Sequence, residues 1–140
     1  MFSTDLAFGN HYERLAAKKL IGNGFGGNVI FTEGCFKPYD VVIDGIKYEV
    51  KADRNVSKYN SFFIEFECNS MPSGINATEC DYWVHIDARP TEANSKYYKI
   101  PIDVLRNAIQ RPEVIRRYGG DRNASSGYIV KREWFAEYEF

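Results

Sequence analysis

The chain has 140 residues, of which 16% are aromatic and 26% are charged, a composition typical of a globular protein and not of a disordered one. This length predicts a single domain, residues 1–140, that buries a substantial core. The net charge of −1 argues against a protein that coats nucleic acid by bulk electrostatics. The sequence has no run of about 18 apolar residues and no signal-peptide pattern, so we expect an intracellular protein of the cytoplasm or nucleoid, without a membrane span and not secreted.

The cysteines give no indication of a zinc site. Cys35, Cys68 and Cys80 are scattered along the chain without a C-x-x-C pair, and the only histidines are His11 and His85. We therefore interpret the three thiols as free and buried.

The first predicted element is a helix from Asp5 to Leu20, which Ser3 or Thr4 can cap and which a glycine-rich stretch ends. A rotation of about 100° per residue places one stripe of this helix against a sheet. That stripe consists of Leu6, Gly9, Asn10, Glu13, Ala17, Leu20 and Ile21.

Glu13 is the acidic residue on that stripe, and a buried carboxylate needs a partner. One interpretation is a salt bridge with Arg14 or Lys18, or a rim position, because Phe8, Tyr12 and Leu15 form a second apolar face. The other interpretation is that Glu13 belongs to an acidic site at the sheet.

A first strand is predicted over residues 28–32, and a β-hairpin follows it. Two runs rich in β-branched and aromatic residues flank Asp44-Gly45, a dipeptide that favours a type I′ turn because both central residues need a positive φ. A two-residue loop then fixes the register. The predicted pairs are Ile43 with Ile46, Val42 with Lys47, Val41 with Tyr48, and Asp40 with Glu49.

This register places two carboxylates directly opposite each other. Alternation puts Asp40, Glu49 and Lys51 on one face of the hairpin, away from its apolar face. Opposed residues have Cβ atoms roughly 4.5–5.5 Å apart, where like charges destabilise the pair unless positive charge lies between them. Mg²⁺, which prefers oxygen ligands, or the ammonium group of Lys51 can supply that charge.

Asp40 followed by Glu49-x-Lys51 on the next strand resembles the PD-(D/E)xK nuclease superfamily, which includes restriction endonucleases, Holliday-junction resolvases and viral recombination nucleases. The chain departs from the family signature in one respect, because Tyr39 separates Pro38 from Asp40. That proline takes no part in the chemistry.

The resemblance implies a DNA nuclease that depends on Mg²⁺, with Mn²⁺ as a substitute. Asp40, Glu49 and the main-chain carbonyl of Val50 would bind the metal. Glu13 would join them directly or through water, since many superfamily members carry an acidic residue on the helix before the core sheet. Lys51 would orient the nucleophile, so the implied catalytic residues are Glu13, Asp40, Glu49 and Lys51.

A second similarity follows the hairpin, where Ser-Gly-Ile, then Thr, then Asp-Tyr-Trp-Val resembles a segment of phage and resolvase-type members in which small polar residues lie near the DNA backbone. The candidate DNA contacts are Ser73, Asn76 and Thr78 from this segment, and Arg54 and Lys58 from the polar loop after the hairpin. The segment from Arg106 to Arg132 has seven basic and two acidic residues, a net charge of +5. It is either a phosphate-contacting surface or a solvated helix face and loop.

Further strands are predicted over residues 62–68, 81–86, 97–100 and 128–130, with a helix over residues 101–110. Glu65 and Glu67 are expected to be surface charges on one face of their strand, and His85 is expected to be a strand residue instead of a base. The aromatic, acidic tail from Trp134 to Phe140 either packs on the domain or forms a partner interface.

The predicted fold is an α/β domain with a restriction-endonuclease-like αβββαβ core, in which helices flank a mixed central sheet. The predicted function is hydrolysis of DNA phosphodiester bonds by a single nuclease-like domain of resolvase or restriction type. The alternatives are a non-catalytic nucleic-acid-binding domain on the same fold and a small interaction protein whose acidic residues are surface charges. The sequence leaves open whether DNA or RNA is cut, whether cleavage is internal or terminal, and whether the chain forms a homodimer.

Overall fold

The computed structural model describes residues 5–34, 37–119 and 124–140. The proposed helix caps Ser3 and Thr4, the thiol of Cys35, and the charged residues Asp121 and Arg122 lie outside the described residues. None of the described helices is both long and apolar enough to span a bilayer.

The described residues form helices and nine strands. The helices are α1 (Asp5–Gly22), α2 (Val56–Tyr59) and α3 (Ile102–Ala108), with 3₁₀ helices at Gly74–Asn76, Glu92–Asn94 and Arg132–Tyr138. The strands are β1 (Val29–Phe31), β2 (Val41–Ile43), β3 (Ile46–Asp53), β4 (Ser61–Cys68), β5 (Met71–Pro72), β6 (Tyr82–Asp87), β7 (Lys96–Pro101), β8 (Ile115–Gly119) and β9 (Ser125–Lys131).

The strands form two sheets. The first sheet has the order β1-β2-β3-β6-β7. It is mixed, because β3 and β6 run parallel while every other pair of neighbouring strands in this sheet is antiparallel. The second has the order β5-β4-β9-β8 and is antiparallel. The predicted α/β class with a mixed central sheet is therefore confirmed. The connection from β3 to β6 holds a four-residue helix and two strands of the second sheet, where the predicted core has a helix.

The predicted register of the hairpin is confirmed for three of its four pairs: Val41 pairs with Tyr48, Val42 with Lys47 and Ile43 with Ile46. The fourth predicted pair, Asp40 with Glu49, is not one of the strand pairs, because Asp40 lies just before β2. Asp44 and Gly45 have φ values of +48° and +84°, as a type I′ turn requires.

Helix α1 packs on the first sheet through a face that differs from the predicted stripe. Its buried residues are Tyr12, Ala16, Ala17 and Leu20, whereas Leu6 is 74% and Ile21 40% exposed. The prediction is wrong for these two residues. The aromatic side chains of Phe8 and Tyr12 have the larger apolar area, so the helix packs through what the sequence analysis gave as its second apolar face. Phe8 and Leu15 pack beside Tyr12.

The opposite face of the first sheet packs on the second sheet, α3 and the last 3₁₀ helix. Trp83 of β6, Phe62 of β4 and Phe135 of the C-terminal 3₁₀ helix are each 0% exposed in this core. The aromatic tail thus packs on the domain, which is one of its two predicted placements. Among the elements, α2, β5 and β8 were not predicted.

A β-bulge between Glu65 and Glu67 places these two glutamates on opposite faces of β4. Glu65 pairs with Gly127, whereas Glu67 pairs with Ser126, and neighbouring positions on β9 point to opposite faces. The prediction that both glutamates share a face is wrong, because an unpaired residue in a bulge reverses the alternation.

We expect Gly74→Ala to lower the free energy of unfolding more than Gly45→Ala does. Both glycines have positive φ, +49° and +84°, where a Cβ costs about 1–2 kcal/mol. Only at Gly74 would the new Cβ also lie 2.0 Å from the carbonyl oxygen of Glu65. Urea denaturation of both variants measures the difference, and equal losses would contradict the packing of this loop on β4.

Candidate active site

Asp40 lies immediately before β2 and is 5% exposed. Its main-chain nitrogen donates to the carbonyl oxygen of Tyr48 at 2.9 Å, and its Oδ2 accepts a hydrogen bond from the nitrogen of Val50 at 2.8 Å. These two bonds to β3 fix the carboxylate where the hairpin strands separate.

Glu49 lies on β3 and is 7% exposed. Its Oε1 lies 3.1 Å from the hydroxyl of Thr78, and its Oε2 lies 3.4 Å from Nζ of Lys51. Thr78 is itself held in place, because its hydroxyl oxygen accepts from the nitrogen of Cys80 at 3.2 Å. The predicted DNA contact Thr78 is thus buried beside Glu49 and orients that carboxylate.

Lys51 lies two residues farther along β3, with 38% of its side chain exposed. Burial lowers its pKa, but the carboxylates of Glu49, Asp40 and Glu65 outweigh this effect and raise the pKa above its ordinary value. Lys51 is therefore a charged group at neutral pH.

Glu13 faces this cluster from α1, with 15% of its side chain exposed. Its ion-pair partner is Lys37 and not the predicted Arg14 or Lys18: Nζ of Lys37 lies 3.2 Å from Oε1 of Glu13 and 3.2 Å from Oδ1 of Asp40. The structure thus brings all four predicted catalytic side chains to one end of the first sheet. Lys37 was not predicted, since nothing in its local sequence distinguishes it from a loop residue.

The acidic cluster has unusual proton affinities. Burial raises the pKa of Glu49 to about 7, and the charge of Asp40 adds to the rise while Lys51 and Thr78 oppose it. Burial and then Asp40 raise the pKa of Glu13, against the opposing effect of Lys37. Negative charge in this cluster therefore exceeds what its lysines compensate.

The donor set suits a hard cation. Among the residues that the structure describes, no group of three or more His, Cys, Asp or Glu side chains is arranged to hold a metal alone. Magnesium sites usually use one or two carboxylates and complete their shell with water and substrate phosphate. The buried carboxylates of Asp40 and Glu49, whose mutual repulsion a cation would relieve, fit that description.

The other predicted DNA contacts lie in different surroundings. Ser73 donates from its hydroxyl to Oε2 of Glu65 at 2.8 Å, while Asn76 is exposed. The guanidinium of Arg54 lies 3.6 Å from the ring centroid of Phe8, and Nζ of Lys58 lies 5.0 Å from that of Tyr59.

A cleft of about 870 Å³ opens beside Lys51, between the end of β3 and the second sheet. Within the described part of the chain, four cationic residues line it: Lys51, Arg54, Arg117 and Lys131. The predicted basic segment is therefore divided. Arg117 and Lys131 face the cleft, whereas Arg116 lies over Phe66 and Tyr128, and Arg132 binds Asp87 at 2.9 Å.

His85 also borders the cleft but is 0% exposed. Its Nδ1 accepts a hydrogen bond from Nε1 of Trp83 at 3.1 Å, and its Nε2 lies 3.0 Å from Oδ2 of Asp53. Because the indole nitrogen only donates, Nε2 must carry the proton that binds Asp53. Both ring nitrogens are thus engaged within the fold, which agrees with the prediction that His85 is not a base.

No protein-family model matches the chain, and comparison with curated proteins likewise finds no similar sequence.

We expect Glu49→Gln to change the pH dependence of stability in a chelator-containing buffer. Because the pKa of Glu49 is raised from 4.5 to about 7, the folded wild type binds more protons than the unfolded chain in this range, so its free energy of unfolding falls as pH rises. The variant lacks this loss and should gain about 2–3 kcal/mol relative to wild type between pH 5 and pH 8. Urea denaturation at several pH values checks this.

Asp44→Asn is the control. Hydrogen bonds from the nitrogens of Asn28 and Gly27 lower the pKa of Asp44 below its ordinary value of 3.8, so the stability that this carboxylate contributes is gained below that pH and is constant above it. The stability of Asp44→Asn relative to wild type should therefore not change between pH 5 and pH 8. Parallel pH profiles for Glu49→Gln and wild type would contradict the raised pKa of Glu49 that burial and the charge of Asp40 produce.

Proposed function

We propose that the chain is a metal-dependent nuclease that hydrolyses DNA phosphodiester bonds, most simply an endonuclease of resolvase or restriction type. The observation that carries the proposal is the pair of buried carboxylates, Asp40 and Glu49, with Lys51 3.4 Å from Glu49. A binding module gains nothing from neighbouring buried carboxylates, which cost stability, whereas phosphoryl transfer needs a cation at the scissile phosphate.

We also propose that the fold has a restriction-endonuclease-like core. In its favour, α1 precedes three antiparallel strands, and β6 returns parallel to β3. In this assignment, α2 and two strands of the second sheet, β4 and β5, replace the helix that the αβββαβ pattern has between these two strands.

Mg²⁺ would be held by Asp40, Glu49 and the main-chain carbonyl of Val50, with Glu13 contributing directly or through water. Mn²⁺ would be able to replace Mg²⁺ at this site. When bound, the ion supplies Lewis acidity and a water of lowered pKa. Thr78 keeps Oε1 of Glu49 in place. Lys51, charged and beside Glu49, orients the attacking water or stabilises charge on the phosphate.

Lys37 balances Glu13 and Asp40 as long as no other cation does so. The same contact favours the rival function, a non-catalytic nucleic-acid-binding or interaction domain on this fold, since an ammonium group already bridges two of the acids. Titration with Mg²⁺ or Mn²⁺ separates the two, because the rival requires no divalent cation.

Glu65 is a residue that the sequence did not assign to the site. Regular alternation with Phe63 places it on the face of the cleft with Lys51, and Ser73 holds its carboxylate at 2.8 Å. The bulge that follows turns Glu67 to the other face. We assign Glu65 as a positioning residue whose charge, with those of Glu49 and Asp40, raises the pKa of Lys51.

Lys51→Ala is expected to fold and to bind Mn²⁺, since a metal ion still neutralises the two acids, but to hydrolyse DNA about 10²–10⁴-fold more slowly. Asp40→Asn should instead weaken Mn²⁺ binding itself. Calorimetric titration with Mn²⁺ and cleavage of a panel of linear, circular and branched DNA measure both effects. A folded Lys51→Ala protein that cleaves at the parental rate would rule out the mechanism.

Glu65→Gln is expected to lower the pKa of Lys51, because it removes one of the carboxylates that raise this pKa. Glu67→Gln, on the other face of β4, is the matched control and should leave it unchanged. Nuclear magnetic resonance of reductively ¹³C-methylated lysines follows the titration of Lys51 in metal-free protein. The assignment fails if the two variants give the same Lys51 titration.

A further inference from the structure

The floor of the cleft is an apolar face of the second sheet. Pairing places Phe63 of β4 beside Ile129 of β9, which in turn lies beside Ile115 of β8. All three line the cleft, and Ile115 is 46% exposed. An exposed apolar surface rimmed by charged groups is typical of a binding site.

Phe63 lies across this floor. A Cβ built on Gly127 of β9 would meet the tip of the Phe63 ring at 2.5 Å, and one built on Gly119 of β8 would meet it at 2.9 Å. Because adjacent strands are roughly 4.8 Å apart, a side chain from β4 reaches β8 only by lying along the sheet. The two glycines leave room for the ring there, and its other side is turned to the cleft.

The acidic residues of the cleft are engaged by the fold. Asp53 accepts from His85 and from the nitrogens of Asn55 and Phe63, and Glu65 accepts from Ser73. The cations at the rim, Arg54, Arg117 and Lys131, are all exposed residues. The cleft thus combines an aromatic floor with a cationic rim that continues to Lys51.

We propose that this cleft binds an unpaired stretch of DNA, with a base stacked on Phe63 and the phosphates on the rim cations. Aromatic floors within cationic grooves are the means by which single strands are bound without sequence preference. In a duplex the base faces are covered by stacking and cannot stack on Phe63. One duplex turn is roughly 34 Å long, and a cleft with a volume of about 870 Å³ is too small to enclose it. The inference rests on the proposed function and specifies its substrate as DNA with a single-stranded region.

The test measures binding without hydrolysis. Fluorescence anisotropy in EDTA compares a labelled oligothymidylate of about ten nucleotides, a length within known site sizes, with a blunt duplex and an oligouridylate. Phe63→Leu removes the ring but keeps an apolar side chain. Gly127→Ala leaves every ligand-facing side chain unchanged and displaces the ring. Phe66→Leu is the matched control, because Phe66 packs against Tyr128 in the core.

Phe63→Leu and Gly127→Ala are each expected to weaken oligothymidylate binding by roughly 5- to 100-fold, with little change for Phe66→Leu and weaker binding of duplex throughout. Unchanged affinity in both variants, tighter binding of duplex than of single strand, or binding of oligouridylate alone would overturn the inference. Thermal denaturation verifies that each variant is folded. Binding of single strands without cleavage in Mg²⁺ or Mn²⁺ would instead support the proposal that the cleft binds unpaired DNA and would contradict the proposed nuclease function.

Discussion

Burial of negative charge where the β2–β3 hairpin opens is the constraint on which the rest of this structure depends. Asp40 and Glu49 are 5% and 7% exposed, and an uncompensated buried carboxylate costs several kcal/mol. Charge-assisted hydrogen bonds and ion pairs offset part of that cost. Because the pKa of Glu49 still rises to about 7, the compensation is incomplete, and the folded chain retains affinity for further positive charge, whether a proton or a metal ion.

The compensating groups come from distant parts of the chain, so the cluster depends on the whole fold. Lys37 reaches it from the loop before β2, and Thr78 from the segment before β6. The parallel pairing of β3 with β6 brings that segment to the hairpin, where the nitrogen of Glu79 donates to the carbonyl oxygen of Pro38 at 2.8 Å. Side-chain alternation on β3 then separates two tasks: Tyr48 and Val50 pack against α1, while Glu49 and Lys51 face the second sheet.

Features set by short-range rules were predictable from the sequence, and features set by long-range contacts were not. Asp44-Gly45 determines its own turn, and the turn determines the register from Ile43 and Ile46 to Val41 and Tyr48. The pairing of Lys37 with Glu13 spans 24 residues and depends on how α1 docks, which the helical pattern predicted only in part, because Leu6 and Ile21 proved exposed. The face of Glu67 depends on a bulge that no local sequence pattern predicts. The cleft requires β8, whose charged sequence does not resemble a buried strand.

Lys51 belongs to both the acidic cluster and the cleft, and this shared position couples them in the proposed function. Glu49, Lys51 and Asp53 succeed one another on one face of β3, roughly 7 Å apart. That spacing is within the Debye length of about 8 Å at physiological ionic strength. The carboxylates of Glu13, Asp40 and Glu49 lie at one end of this row and repel a phosphate. The rim cations at the other end attract it. In the proposed function, a divalent cation at Asp40 and Glu49 would remove that repulsion, and a phosphate would supply the ligands that the two carboxylates leave missing. Because binding couplings are reciprocal, the proposal implies that DNA and metal each raise the affinity of the site for the other.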